Sequence, residues 1–158
     1  MTRGSVKNSK SIMMHLMIAS DGTSRLTLCD TPQNSQAYQA KILLPNLSFI
    51  RRRSPIVYMQ DGASCHTSVS TATFLRSHKV NVLPDWPPNS PDLNPVEHCW
   101  SFISKGLVGK KFRNASELEV AVRGVWASCP PSYIPSLYGS MVRRLTAVVV
   151  AKGAATKY

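Results

Sequence analysis

Between residues 55 and 83 the chain reads strand, helix, strand, and that order limits the fold more than any other feature. Residues 55–60 (PIVYMQ) form an apolar run of strand length. Pro55 sits at its first position, where a missing N–H does least harm to a sheet. Asp61-Gly62 ends the run; the glycine suits a sharp turn there. Thr67 or Ser68 caps a helix to about His78, and residues 80–83 (VNVL) are a second short strand. A helix crossing between two strands implies that they run parallel, so the chain is an α/β protein.

The flanks fit around this unit. Residues 1–11 are a loose polar segment, and residues 12–158 form one domain. Residues 12–19 (IMMHLMIA) and 25–29 (RLTLC) face each other across Ser20-Asp21-Gly22-Thr23 as a hairpin. Asn34 or Ser35 caps a helix carrying Tyr38 and Ile42 that should stop near Pro45, and Arg51 to Ser54 is a basic loop. Five prolines between residues 84 and 95 make a stiff connection. A helix then starts at Pro95 with apolar residues at 96, 99, 100, 103 and 107. Another starts at Asn114 and buries Leu118, Val122, Val125 and Trp126, and a last helix covers 133–151 until Gly153.

Nineteen Lys and Arg against eight Asp and Glu give a net charge of +11, which favours a polyanionic partner. The cations cluster at Arg51, Arg52 and Arg53, at Lys105, Lys110, Lys111 and Arg113, and at Arg143 and Arg144; these are the candidate DNA contacts. No apolar run is long enough to span a membrane, so no membrane partner is expected. Four scattered cysteines without a CxxC pair fit a reducing, intracellular setting. Half of the acids (Asp61, Asp85, Asp92, Glu97) fall within residues 61–97, as if a cation site were being assembled beside a phosphate-binding surface.

Glu97 has two readings. Asn94-Pro95-Val96-Glu97 is a capping box, in which the N3 carboxylate bonds back to the cap N–H. Asn114-Ala115-Ser116-Glu117 repeats the pattern at a second helix start with no hint of chemistry, so the pattern alone is weak evidence for catalysis. Asp61 separates the two cases. It lies at the carboxyl end of a parallel strand, where ligands collect, and the proline-rich loop leads from that same edge to Glu97. Two carboxylates there could share Mg²⁺ or Mn²⁺, and in a basic protein phosphodiester chemistry follows.

Two motifs carry a family resemblance. Gln60-Asp61-Gly62-Ala63-Ser64-Cys65-His66-Thr67 and Trp86-Pro87-Pro88-Asn89-Ser90-Pro91-Asp92-Leu93-Asn94-Pro95-Val96-Glu97-His98-Cys99-Trp100, with thirty-five residues between the acids, closely resemble the DDE transposases of the Tc1/mariner group. Residues 11–46 and the C-terminal stretches Ser140 to Leu145 and Ala151 to Tyr158 resemble it as well. The resemblance implies a ribonuclease-H-like fold in which three carboxylates hold two Mg²⁺ ions that act on double-stranded DNA. Asp61 is then the second acid and Glu97 the third. His66 and Gly62 lie near the site, Asn94 caps the helix, and Asp92 shapes the loop.

The family's first Asp has no counterpart here; Asp21 falls in the hairpin turn and Asp30 before the next helix. The expected fold is therefore an incomplete ribonuclease-H-like one, its first, central strand missing, with extra C-terminal helices. The expected function is Mg²⁺-dependent nicking and strand transfer in ancestry, absent from this chain alone. A non-catalytic nucleic-acid-binding protein and a fragment unable to fold alone are the alternatives. Homo-oligomers and nuclear residence, the latter inferred from the DNA substrate, complete the expectations. Gly62 stands where the family commonly has Asn, and His15-Leu16 where it commonly has Trp-Gly.

Overall fold

A computed structural model describes residues 12–29, 33–53, 55, 57–87, 90–154 and 156–158. Strands β1 (Met13–His15) and β4 (Thr27–Cys29) pair antiparallel, and β2 (Ile18–Ala19) and β3 (Gly22–Thr23) pair inside them. At the step between the two ladders, Met17 N–H donates to Ser24 Oγ and Ser24 N–H to Met17 O, which keeps the buried backbone satisfied.

Alternation along this hairpin sends side chains to two separate cores. Met17, Ala19 and Cys29 join Tyr38, Ile42, Leu43, Phe49, Ile50 and Leu75 on one side. Leu16 and Leu26, with Met14, Ile18 and Leu28 packed against them, join Cys99, Ile103, Val122, Ile134 and Leu137 on the other. The result is a helix–hairpin–helix sandwich. One layer holds α1 (Ser35–Tyr38), α2 (Leu44–Arg51), α3 (Ser64–Thr67) and α4 (Val69–Ser77); the other holds α5 (Val96–Leu107), α6 (Ala115–Ala127) and α7 (Tyr133–Gly139), with α8 (Met141–Val150) following.

Several expectations are corrected. The helix from Ser35 does not stop at Pro45 but runs to Arg51, so Arg51 belongs to a helix and not to a loop. A π-helical turn at Gln39–Leu43 makes this possible. The looser turn admits the proline ring, and Asn46 Nδ2 donates to Ile42 O at 2.7 Å, satisfying a carbonyl beside the break. The strands expected at 55–60 and 80–83 reduce to a single parallel bridge between Tyr58 and Val82, made by Tyr58 N–H to Asn81 O and Leu83 N–H to Tyr58 O. Their parallel sense is as expected; Ile56 of the first lies outside the described residues, as do Asp30 and segment 1–11. Among the described residues no ladder joins β1 to Tyr58. The helix expected over 133–151 breaks at Ser140, whose hydroxyl donates to Leu137 O and accepts from Arg144 Nε.

Gly106 marks the tightest contact between α5 and α6. A Cβ there would lie 2.5 Å from Val125 Cγ1. Gly106→Ala should therefore destabilise the chain by about 1–3 kcal/mol in chemical denaturation, since a β-branched neighbour cannot swing away. Adding Val125→Ala should recover most of that loss; a double variant as unstable as the single one would refute the contact.

Candidate active site

Asp61 follows the Tyr58 bridge and precedes α3, with its side chain 56% exposed. Its Oδ1 accepts from Ala63 N–H at 3.0 Å and from His66 Nδ1 at 2.6 Å. Gly62, between them, has ordinary negative φ, and a Cβ there would meet nothing within 4 Å. The turn therefore does not require glycine, contrary to the sequence expectation. Asp61 borders a groove of about 810 Å³ that runs past Arg76, Lys79 and Trp86.

Glu97 enters from the other layer. Asn94 is extended and Pro95 helical, so Asn94 caps α5 and Glu97 occupies N3. A capping box does not form, because the Asn94 N–H that Glu97 would need already donates to Pro91 O. Asn94 itself is buried, with its Oδ1 3.4 Å from Val96 N. The Glu97 carboxyl is pushed above its ordinary value by desolvation first and by the negative charge of Asp61 second. Burial and the charge of Asp61 thus act on Glu97 in the same direction. Glu117 behaves in the opposite way: its oxygens accept from Arg113 N–H and Arg113 Nε, and its carboxyl is held below the usual range by these bonds. One sequence pattern has produced a cap at α6 and a carboxylate turned outward at α5.

The loop before Glu97 is fastened from the C-terminus. Arg144, a candidate DNA contact by sequence, is only 3% exposed. Its Nη1 donates to Asp92 O at 3.0 Å and to His98 Nε2 at 2.7 Å. Thr156 Oγ1 donates to Asp92 Oδ2, giving that residue the loop-shaping position expected of it. Arg53 is also committed internally, pairing with Asp21 and stacking on Phe49. Arg51 donates to His78 O, and Arg113 is taken by Glu117. Arg52, Lys105, Lys110, Lys111 and Arg143 are exposed and face solvent.

Sequence reasoning placed His66 near the site but missed the side chains that back it. His15, Tyr38 and His66 pack ring against ring at tilted angles: the Tyr38 and His66 ring centroids are 4.3 Å apart, those of His15 and Tyr38 6.0 Å. Tyr38 Oη donates to Gln60 Oε1 and shares a hydrogen bond with Tyr58 Oη; Gln60 Nε2 donates to His66 O. A histidine inside the apolar run 12–19 was the available signal for His15. Among the described residues no three His, Cys, Asp or Glu side chains gather to hold a metal ion; Asp61 and Glu97 remain the two carboxylates the sequence puts forward. Their oxygen donors and mutual repulsion suit a hard divalent cation, which would relieve that repulsion. No helix among the described residues is long and apolar enough to cross a membrane.

A family profile described as DDE superfamily endonuclease matches residues 3–119. The Tcb1 transposase of Caenorhabditis briggsae is 41% identical over 102 residues, covering 65% of this chain and 37% of that protein. The Tc3 transposase of Caenorhabditis elegans is 32% identical over 129 residues, covering 79% of this chain and 39% of that protein. The chain therefore spans less than two fifths of the length of these curated relatives. A structure of the Mos1 transposase catalytic domain with raltegravir and Mg superposes with a TM-score of 0.80 at 18% identity, over 92% of this chain and 77% of that one. A Mos1 mariner paired-end complex with Mn gives 0.84 at 19% identity, over 99% of this chain and 48% of that one. The chain shares the fold of that catalytic domain.

Two stability measurements check this geometry. A carboxyl with a raised folded pKa favours folding below its ordinary value of 4.5 and loses that contribution as pH rises through the folded value. At pH 7 Glu97→Gln should therefore raise Tm by about 1–3 °C, whereas Glu117→Gln should lower it. Equal effects would erase the distinction between the two helix starts. His98 is lowered from 6.5 by desolvation first, then by Arg144 and Lys105, so its contribution is present above 6.5 and lost as pH falls toward the folded value. His98→Gln, which still accepts from Arg144, should reduce the stability loss between about pH 7 and 5.5, leaving the slope that His15, lowered by burial, imposes in the same direction.

Proposed function

Because the chain belongs to the DDE superfamily endonucleases, and within them to the Tc1/mariner transposases, we propose that it is the part of their catalytic domain that brings Asp61 and Glu97 to one divalent-cation site on DNA. The observation that carries this reading is the Glu97 carboxyl, which forms no capping box because Pro91 O holds the Asn94 N–H, and which desolvation and then the charge of Asp61 push above its ordinary value. The fold is ribonuclease-H-like by family, and Mos1 structures are described with Mg and with Mn.

Asp61 and Glu97 would hold Mg²⁺ or Mn²⁺, which supplies charge neutralisation at phosphate and activation of water. The chain's own part is to present the two acids. Asp61 commits Oδ1 to Ala63 and His66 and offers Oδ2, and Arg144 and Thr156 hold the loop that delivers Glu97. Arg52, Lys105, Lys110, Lys111 and Arg143 offer cations to the DNA backbone, with binding that weakens as salt rises. Two carboxylates are a poor cage for two metal ions, so this chain alone is inactive as a nuclease. Residence in the nucleus and association with further copies follow from the same reading.

The test is Mn²⁺ titration of the chain together with nicking of supercoiled plasmid. Mn²⁺ binding should disappear in Asp61→Asn, weaken about 10-fold or more in Glu97→Gln and persist in Glu117→Gln, because removing a ligand carboxylate removes both charge and donor. Plasmid should stay intact; Mg²⁺-dependent nicking lost in Asp61→Ala would overturn the inactivity. The net charge of +11 favours a second reading, a non-catalytic DNA-binding protein. Salt-dependent binding to duplex DNA that survives Asp61→Ala and Glu97→Ala, with no Mn²⁺ site, would establish that one instead.

A further inference from the structure

Asp61 is more than half exposed, so burial does not fix its side-chain rotamer. Two donors do, and both act on the same oxygen: Ala63 N–H and His66 Nδ1. The backbone donor comes with the turn. The imidazole is a separate commitment, and it is held on several sides. Gln60 Nε2 grips the His66 carbonyl at 2.9 Å. The ring of Tyr38, itself 2% exposed, lies against the imidazole. Tyr38 is tied in turn to Tyr58 and Gln60 through its hydroxyl.

The arrangement carries a penalty. His66 Nε2 is buried without a hydrogen-bond partner, a condition that costs about 1–3 kcal/mol. A histidine serving only local structure would be better placed with that nitrogen in water. The burial is offset by the 2.6 Å contact at the other nitrogen, which a flipped ring would lose.

We propose that His66 is a positioning residue for Asp61: through its Nδ1–H it locks Oδ1 and leaves Oδ2 directed at the cation shared with Glu97. This rests on the cation reading above. Partners that orient a ligand carboxylate commonly set metal affinity by about 10–100-fold. The rigidity of Asp61 then draws on the first core, through Tyr38, as well as on the exposed turn.

Two measurements on the 158-residue chain decide it. The first is Mn²⁺ affinity. His66→Phe should bind about 10-fold more weakly than the unsubstituted chain, and His66→Asn, whose Nδ2 falls where Nδ1 was, should recover most of that loss. In the Asp61→Asn background His66→Phe should change nothing further. His66→Phe that melts normally and binds Mn²⁺ like the unsubstituted chain overturns the proposal; so does His66→Asn as weak as His66→Phe. The second is the long-range proton–nitrogen NMR correlation of His66 without metal. It should show the Nδ1–H tautomer, perturbed by Asp61→Asn; an Nε2–H tautomer overturns the proposal even if His66→Phe fails to fold. Failure of the unsubstituted chain to bind Mn²⁺ refutes the cation reading instead, and the tautomer then judges the His66–Asp61 lock by itself.

Discussion

The hairpin between the two helical layers buries side chains on both of its faces, and the rest of the fold answers that constraint. Ladders this short expose most of their surface unless helices cover them on both sides. Met17, Ala19 and Cys29 need one helical layer, Leu16 and Leu26 another. Helices from residues 35–77 supply the first and helices from 96–139 the second. Residues 78–95 must then pass from one layer to the other. Asp61 belongs to the first layer and Glu97 to the second, so how the two acids are placed depends on both layers closing on one hairpin.

Within that frame Arg144 does for Glu97 what the aromatic cluster does for Asp61. A guanidinium buried to 3% exposure must find acceptors, and it finds Ser140 Oγ, Asp92 O and His98 Nε2. Those bonds join α8 to the loop and to α5. The same bonds explain why the final helix breaks at Ser140. Ile134 and Leu137 bury in the second core, while the chain beyond them turns to bring Arg144 onto the loop.

What could be read in the sequence was what its determinants keep local. The Asn114 cap and the Ser68 cap each involve a side chain and an N–H three residues on, and both form. The alternating hairpin and the parallel sense of the Tyr58 and Val82 segments were legible for the same reason. Pro45 was misread because its disruption is absorbed by a turn that no single residue announces. Arg144 was misread because its partners lie 46 and 52 residues away, and an arginine in a basic stretch looks like a surface cation until they are known. Glu97 lay in between. It shares the Asn-x-x-Glu pattern with Glu117, but Glu117 closes on the N–H and Nε of Arg113, while at α5 Pro91 O already holds the Asn94 N–H.

The π-helical turn at Gln39–Leu43 also sets phase. An α-helix advances about 100° per residue, so one extra residue in a turn rotates everything after it by that angle. Tyr38 and Ile42 lie on one stripe; Leu43, Leu47 and Ile50 continue it one position late. The chain therefore carries what amounts to a one-residue insertion whose shift has been built into the core. Removing a residue there would restore a regular helix and turn Ile50 away from the core it shares with Tyr38, the ring on which His66 leans. At this place a more regular helix would be the more damaging one.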